Sequence, residues 1–84
     1  MGAVHVKGAT LSGHRIQRLH VGIDRLPDRT IDRDTAIRWM KDGHSLLVPG
    51  GTALQLVEVG DGHVIRIDNA PVDEDHLPAL PPAG

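Results

Sequence analysis

The sequence of 84 residues contains no cysteine, no phenylalanine and no tyrosine, and Trp39 is its single tryptophan. Without cysteine the chain has no disulfide, no thiolate metal ligand and no cysteine nucleophile. Modules that read single-stranded nucleic acids usually stack bases on two or more aromatic rings, so one ring gives that mode little support. The core must therefore be built from aliphatic side chains around one tryptophan.

Long hydrophobic runs are also missing. The longest apolar stretches, such as residues 45–48, are far shorter than the roughly 20 residues that a membrane-spanning helix needs. The first residues lack a basic segment followed by an apolar run, so we expect no secretory signal, no membrane association and a cytoplasmic location. With 39% hydrophobic and 24% charged residues, the chain is expected to form one small domain with a thin core.

The net charge of −2 results from two halves of opposite sign. Residues 1–42 carry eight Lys or Arg and five Asp, a net +3, whereas residues 43–84 carry one Arg and six acids, a net −5. A basic surface in the first half would attract phosphates. The interspersed acids, the pI of about 6.3 and the lack of a DNA-binding motif argue against this function, which we keep as an alternative.

The first half of the chain predicts a hairpin, a loop and a helix. Apolar and polar residues alternate over residues 4–24, with a turn at 12–14 and a bulge between Ile16 and Leu19. Residues 25–30 contain a Leu-Pro-Asp turn signal and are expected to be a loop. A helix follows over residues 32–43.

The helix has local signals at both ends. Asp32 is a natural N-cap, Lys41 is a cation in the last turn, and Gly43 suits the left-handed residue just past the end. Trp39 lies beside the apolar stripe of this helix. It is therefore either a large piece of the core or an exposed anchor for a partner.

The second half predicts further strands and a tail. Residues 44–48 are expected to form a short strand, and residues 53–59 and 63–68 alternate around a Gly-Asp-Gly turn as a second hairpin. Together these elements predict an α+β fold of order ββαβββ. One small antiparallel sheet of about four to five strands would be covered on one face by the helix. The domain would span residues 1–70, and the Pro-rich tail 71–84 would be docked or flexible.

Residues 32–81 combine a capped helix ending in glycine, a final strand with Arg66 and Asp68, and a Leu-Pro ending at 75–81. In this combination the chain resembles a family of small bacterial proteins known as domain of unknown function 3892. Val64 and Ile67 stand where that family commonly has an aromatic residue and a threonine. The resemblance implies a compact α+β fold that includes the tail, and it implies no particular activity.

The polar residues give little support for catalysis or metal binding. The six histidines have no His-x-His motif and no i, i+4 pair on the helix, so we expect surface histidines and no bound metal or other cofactor. The residues concerned are His5, His14, His20, His44, His63 and His76. Residues 73–75 read as a solvated acidic run, and neither Ser12 nor Ser45 has the context of a catalytic nucleophile.

The sequence therefore predicts a small non-catalytic protein-binding or regulatory module whose target is unknown. It could self-associate, or act as an accessory inhibitor from a phage or mobile element. The alternatives are a weak nucleic-acid binder that uses the Arg-rich N-terminal half and, further behind, a histidine metal-binding protein. The candidate partner-binding residues are Trp39, Arg66, Asp68, Arg18 and Arg38.

Overall fold

The structure, a computed structural model, describes residues 3–23 and 25–81, and within these ranges the chain forms six strands and one helix in the order βββαβββ. The elements are β1 (Ala3–Ser12), β2 (Arg15–Gly22), β3 (Arg29–Asp32), α1 (Arg33–Lys41), β4 (Ser45–Leu47), β5 (Gln55–Val59) and β6 (Gly62–Arg66). The predicted α+β class with one helix is confirmed. Position 24 and the end of the predicted tail, residues 82–84, lie outside the described residues.

The first hairpin pairs β1 with β2 in antiparallel register around a turn at Gly13, whose φ of 61° favours glycine. Thr10 pairs with Arg18 and Leu11 with Ile16, so Gln17 is an extra residue at the position where the sequence predicts a bulge. This bulge returns Ile16 to the same face as Leu19, and both side chains are buried.

The sheet differs from the prediction in its strand number and direction. Residues 29–32 form β3 instead of ending a loop, and the sheet order is β3-β2-β1-β4 with β4 parallel to β1. Within β3 only Ile31 is buried, so the segment lacks the alternation by which a strand is recognised from sequence. Strands β1 and β3 both run antiparallel to β2, so they run in the same direction as each other. The helix α1 is a crossover that returns the chain from β3 to β4 in that same direction, and β4 is therefore parallel to its neighbour β1. The predicted single antiparallel sheet is therefore wrong.

The helix α1 lies on the inner face of this sheet. Asp32 caps it, since its Oδ1 accepts a 2.8 Å hydrogen bond from the Thr35 amide, and Gly43 follows with a φ of 97°. Ala36 is fully buried against the sheet, whereas Trp39 and Met40 are partly buried. The local signals at both ends thus place the helix as predicted.

The second hairpin forms a separate two-stranded sheet of β5 and β6. It joins the first sheet at one bridge between Leu47 and Ala53, after the chain turns back through residues 49–52. Ile65 on β6 packs into the same core as Leu19 and Leu46. One core therefore lies between the two sheets and the helix.

The Pro-rich segment contacts both sheets up to Pro81. The His76 amide donates to the Ile65 carbonyl at 2.9 Å, and the Ala9 amide donates to the Pro81 carbonyl at 2.8 Å. Leu77 and Leu80 pack against the core. The described part of the tail thus lies along β6 and reaches the edge of β1.

Candidate functional site

Asp75 is the most buried carboxylate among the described residues. The expectation that residues 73–75 form a solvated acidic run is therefore wrong at this position. Its side chain is 0% exposed. It accepts hydrogen bonds from the amides of Ile16 at 2.8 Å and Ile65 at 2.9 Å, and from Arg33 Nε at 2.9 Å and Nη2 at 3.1 Å. Arg33 also donates to the His63 carbonyl at 2.6 Å. One carboxylate thus joins both hairpins, the helix and the tail.

The pKa of Asp75 depends on two opposing effects, burial and hydrogen bonding. Burial by itself raises the pKa of this carboxyl, but the hydrogen bonds from Arg33 and from the amides of Ile16 and Ile65 outweigh burial, so its pKa lies below the ordinary value. The group stays ionised and is fully coordinated by protein donors. We assign it a structural role.

The predicted partner-binding residues Arg66 and Asp68 bind each other. Arg66 is buried; its Nε donates to Asp68 Oδ1 at 2.6 Å and its Nη1 donates to the Glu74 carbonyl at 2.7 Å. The hydrogen bond from Arg66 holds the pKa of Asp68 below its usual value. This pair fastens the tail to β6, and the Arg66 guanidinium is occupied within the chain.

Arg18 and Arg38 are exposed in different parts of the fold. Arg18 stands beside Thr10 and Asp32 in the sheet register, on the face opposite the buried Leu19. Arg38 lies on α1; the pKa of Asp32 is lowered mainly by its hydrogen bond from Thr35 and to a smaller extent by the charge of Arg38. Each of the two arginines is separate from the Arg66–Asp68 pair in sequence and element.

Trp39 borders an apolar groove between the helix and the ends of β1 and β2. The cavity has a volume of about 280 Å³. The Arg29 guanidinium carbon lies 5.6 Å from the centre of the Trp39 rings, and the His44 ring meets them edge-on at 6.2 Å. The residues lining the groove are Ala3, Val4, Ile23, Trp39 and His44.

The turn after β2 begins at Ile23, which lines this groove. The Leu26 amide donates to the Ile23 carbonyl at 3.0 Å, and Arg25 between them has a φ of 67°. This left-handed conformation is uncommon for a residue other than glycine. Leu26 is 60% exposed and shares a second cavity with Ile23 and Arg25. We call the combined region the Trp39 surface; its residues are Ala3, Val4, Ile23, Arg25, Leu26, Arg29, Trp39 and His44.

The Trp39 surface carries positive charge. Arg25 and Arg29 are exposed and have no ion-pair partner within residues 3–23 and 25–81, although Arg29 stacks on Trp39. The nearby Asp28 carboxylate is held by Lys7 Nζ at 3.0 Å, and the hydrogen bond from Lys7 lowers the pKa of Asp28. Among residues 3–23 and 25–81, these two arginines thus form no ion pair.

A larger cavity of about 440 Å³ lies at the ends of β1 and β4, beside the turn at residues 49–51. Its charged group, Lys7, already binds Asp28. The other polar side chain that lines this cavity is His5. It forms no ion pair with a carboxylate of the described residues and so lacks the partner of a catalytic pair. This cavity suggests no reaction.

The histidines do not converge on a metal site. In the part of the chain that the structure describes, no group of three or more His, Asp or Glu could hold a metal ion. His14, His20 and His63 instead lie near single carboxylates; the shortest contact joins His14 Nδ1 to Glu74 Oε2 at 2.8 Å. Histidine metal binding therefore gains no support.

Sequence reasoning found Trp39 but missed the residues around it. Ile23, Arg25, Leu26 and Arg29 belong to segments predicted as strand end and loop, and no local pattern brings them to the helix. The exposed Leu-Pro pair at 26–27 was the one available signal. It indicates a turn and does not indicate what the turn faces.

No protein-family model matches the chain, and comparisons with curated proteins and with solved structures also give no match. The resemblance to domain of unknown function 3892 therefore stays a prediction. Among residues 3–23 and 25–81 there is no helix whose length and hydropathy would let it cross a membrane.

Proposed function

We propose that this protein is a small non-catalytic module that binds another protein through the Trp39 surface. The observation that carries the proposal is the coincidence of an open apolar groove, a partly buried tryptophan and a leucine that is 60% exposed. Tryptophan and arginine beside an apolar pocket are the residue types that dominate binding energy in protein interfaces. Arg25, in the turn that begins at Ile23, has a left-handed φ of 67°, and such strain is concentrated in functional segments.

A non-catalytic role agrees with how the ionisable groups are used. The carboxylates of Asp28, Asp73 and Asp75 are each bound by a lysine or arginine, and Glu74 contacts His14. A general acid or base needs a free proton-transfer position and a site for the substrate. Because these carboxylates form ion pairs within the chain, we interpret them as groups that stabilise the fold. We therefore propose a binding role for the protein.

A different protein is favoured over a second copy of this chain. In a two-fold dimer the same patch lies on both sides, so both contacting faces would carry the positive charges of Arg25 and Arg29. Like charges brought together in this way oppose association. A stoichiometric accessory inhibitor from a phage or mobile element is one form that such a module would take.

Nucleic-acid binding, the alternative, is less well supported. Among the described residues, three of the eight cations in residues 1–42 are bound to carboxylates. Arg18 lies on the outer sheet face and Arg29 on the tryptophan, so these two arginines do not share one stripe. The groove itself is apolar, which suits a side chain better than a phosphate.

The proposal is tested by affinity capture from an extract of the source cell, with wild-type protein, Leu26→Glu and the control Val72→Glu. Both substitutions place a carboxylate on an exposed apolar residue, since Val72 is 42% exposed in the tail. We expect a protein that wild type and Val72→Glu retain equally and that Leu26→Glu retains about tenfold less, as loss of about 1.4 kcal/mol of binding free energy implies.

Circular dichroism and thermal unfolding first establish that both variants are folded. If every retained protein is captured equally well by Leu26→Glu, the Trp39 surface is not the binding site and the proposal is wrong.

A further inference from the structure

We infer that the cleft that holds residues 75–81 is a peptide-binding site, and that the same segment of a second copy of this chain can fill it, so that two chains exchange these segments in a reciprocal dimer. We call residues 75–81 the docking segment. The residues that bind it form the docking cleft, namely Ala9, His14, Ile16, Arg33, Ile65 and Ile67. The cleft shares no residue with the Trp39 surface, so this inference is independent of the proposed function.

The docking segment is held in the way that a protein holds an extended peptide. The His76 amide donates to the Ile65 carbonyl at 2.9 Å and the Ile67 amide donates to the His76 carbonyl at 3.0 Å, so the segment runs beside β6 in parallel orientation. In peptide recognition by strand addition, main-chain bonds give affinity and side-chain sites give specificity. Leu77 and Leu80 supply the apolar contacts with the core.

The cleft has a built site for one carboxylate. The Asp75 side chain is 0% exposed, and its oxygens accept hydrogen bonds from the amides of Ile16 and Ile65 and from two nitrogens of Arg33, at 2.8–3.1 Å. An empty cleft would leave a part-buried guanidinium and two buried amides without this acceptor, which is costly. The free energy of the fold therefore favours a filled cleft, whichever chain supplies the aspartate.

The linker that returns the docking segment to its own cleft is short. The parallel bridge between Arg66 and His76 leaves fewer residues for the return than the roughly dozen that parallel neighbours usually need. Two three-residue turns close the path: the Val72 amide donates to the Ala70 carbonyl at 2.8 Å, and the Glu74 amide donates to the Val72 carbonyl at 2.7 Å. The turn between Ala70 and Val72 is thus essential to docking within one chain.

Exchange between two chains preserves the contacts of the docking segment. A second copy offers the same cleft and also the same Arg15 for Asp73, so only residues 69–72 change conformation. This is the condition for a domain-swapped dimer. Linker length decides between the two arrangements, because a short linker that spans the distance gives an effective concentration of about millimolar, and one that cannot span it gives almost none.

The first test changes the length of the linker in the whole chain. Removal of residues 69–71 takes away the first tight turn, and we expect this variant to be a dimer at about ten micromolar protein in sedimentation velocity. Insertion of Gly-Ser-Gly after Ala70 is the control; it should remain a monomer at the same concentration, as should wild type. A shortened variant that is folded and monomeric up to about one millimolar would overturn the inference.

The second test uses complementary variants and keeps the natural linker. Arg33→Gln damages the cleft and keeps the docking segment, whereas Asp75→Asn damages the segment and keeps the cleft. The two variants are mixed in urea and refolded together at about millimolar protein, near the effective concentration of the linked segment. A mixed dimer contains one intact Arg33–Asp75 pair, so we expect it in native mass spectrometry. The mixture should melt at least about 4 °C above either variant alone.

The control mixture combines Asp75→Asn with the double variant Arg33→Gln/Asp75→Asn, so that no chain supplies Asp75. It should show no rise in melting temperature above its components. If the complementary mixture also melts as its components do and contains no mixed dimer, the docking segment binds only within its own chain and the inference is wrong. The proposed function is unaffected by that result, since the Trp39 surface takes no part in the exchange.

Discussion

At the scale of single residues, Asp75 shows how one carboxylate joins segments that are far apart in the sequence. It binds amides at positions 16 and 65 and the guanidinium of Arg33. Asparagine has the same shape, but its NH₂ group faces donors and its lack of charge leaves Arg33 without a counter-ion. Asp75→Asn should lower the free energy of unfolding at pH 7 by about 2–4 kcal/mol.

Urea unfolding measures this loss, and Asp73→Asn is the control, since Asp73 is an exposed acid of the same tail. The pKa of Asp75 is lowered by folding, so its contribution is complete above the unfolded pKa of about 4 and is lost as pH falls through the folded pKa. The difference between wild type and Asp75→Asn should therefore shrink below about pH 4. A loss equal to that of Asp73→Asn would contradict the structural role of Asp75.

Arg25 has a conformation that costs stability in the free protein. With a φ of 67° its Cβ crowds the backbone, and glycine at the same position removes that crowding. Arg25→Gly should raise the free energy of unfolding by about 0.5–1 kcal/mol, although glycine also loses more entropy on folding. Arg25→Ala keeps the Cβ and is the control. Equal melting temperatures for the glycine and alanine variants would show that the turn is not strained.

At the scale of elements, the tail acts as a part of the fold up to Pro81. Leu77 packs against the core, whereas Val72 in the same segment is exposed. Leu77→Ala should lower the free energy of unfolding by about 1–2 kcal/mol, less than for a fully buried leucine because Leu77 is only partly covered. Val72→Ala should change it by less than about 0.5 kcal/mol. Similar losses from both substitutions in thermal or urea unfolding would mean that the tail does not dock through Leu77.

The elements differ in how far the sequence could predict them. The helix was predictable because its two ends are set by local interactions: Asp32 caps the amide of Thr35, and Gly43 adopts the left-handed conformation just past the end. The turns at Gly13 and Gly60 depend on local conformation in the same way. Strand β3 was not, because its pairing with β2 decides its conformation and only Ile31 points into the core. The parallel pairing of β4 depends on the path of the whole chain.

At the scale of the whole molecule, the opposite charges of the two halves meet inside the fold. Acids of the tail bind cations of the first half: Asp73 binds Arg15, and Asp75 binds Arg33. The sequence showed the imbalance, but only the tertiary structure shows which charges are neutralised. At Trp39 itself, the guanidinium of Arg29 lies over the rings beside an apolar groove. Trp39 was a candidate from sequence alone; the groove was not, because strand ends and helix form it together.

The most direct measurement of the central claim, that the Trp39 surface binds a partner protein, is site-specific photo-crosslinking in the source cell. The photoreactive residue benzoylphenylalanine is placed at Leu26 in one variant and at Val72 in another, both exposed apolar positions. We predict a discrete crosslinked product to a second protein from position 26 and none from position 72. Crosslinks from both positions to the same set of proteins, or none from position 26, would contradict the account.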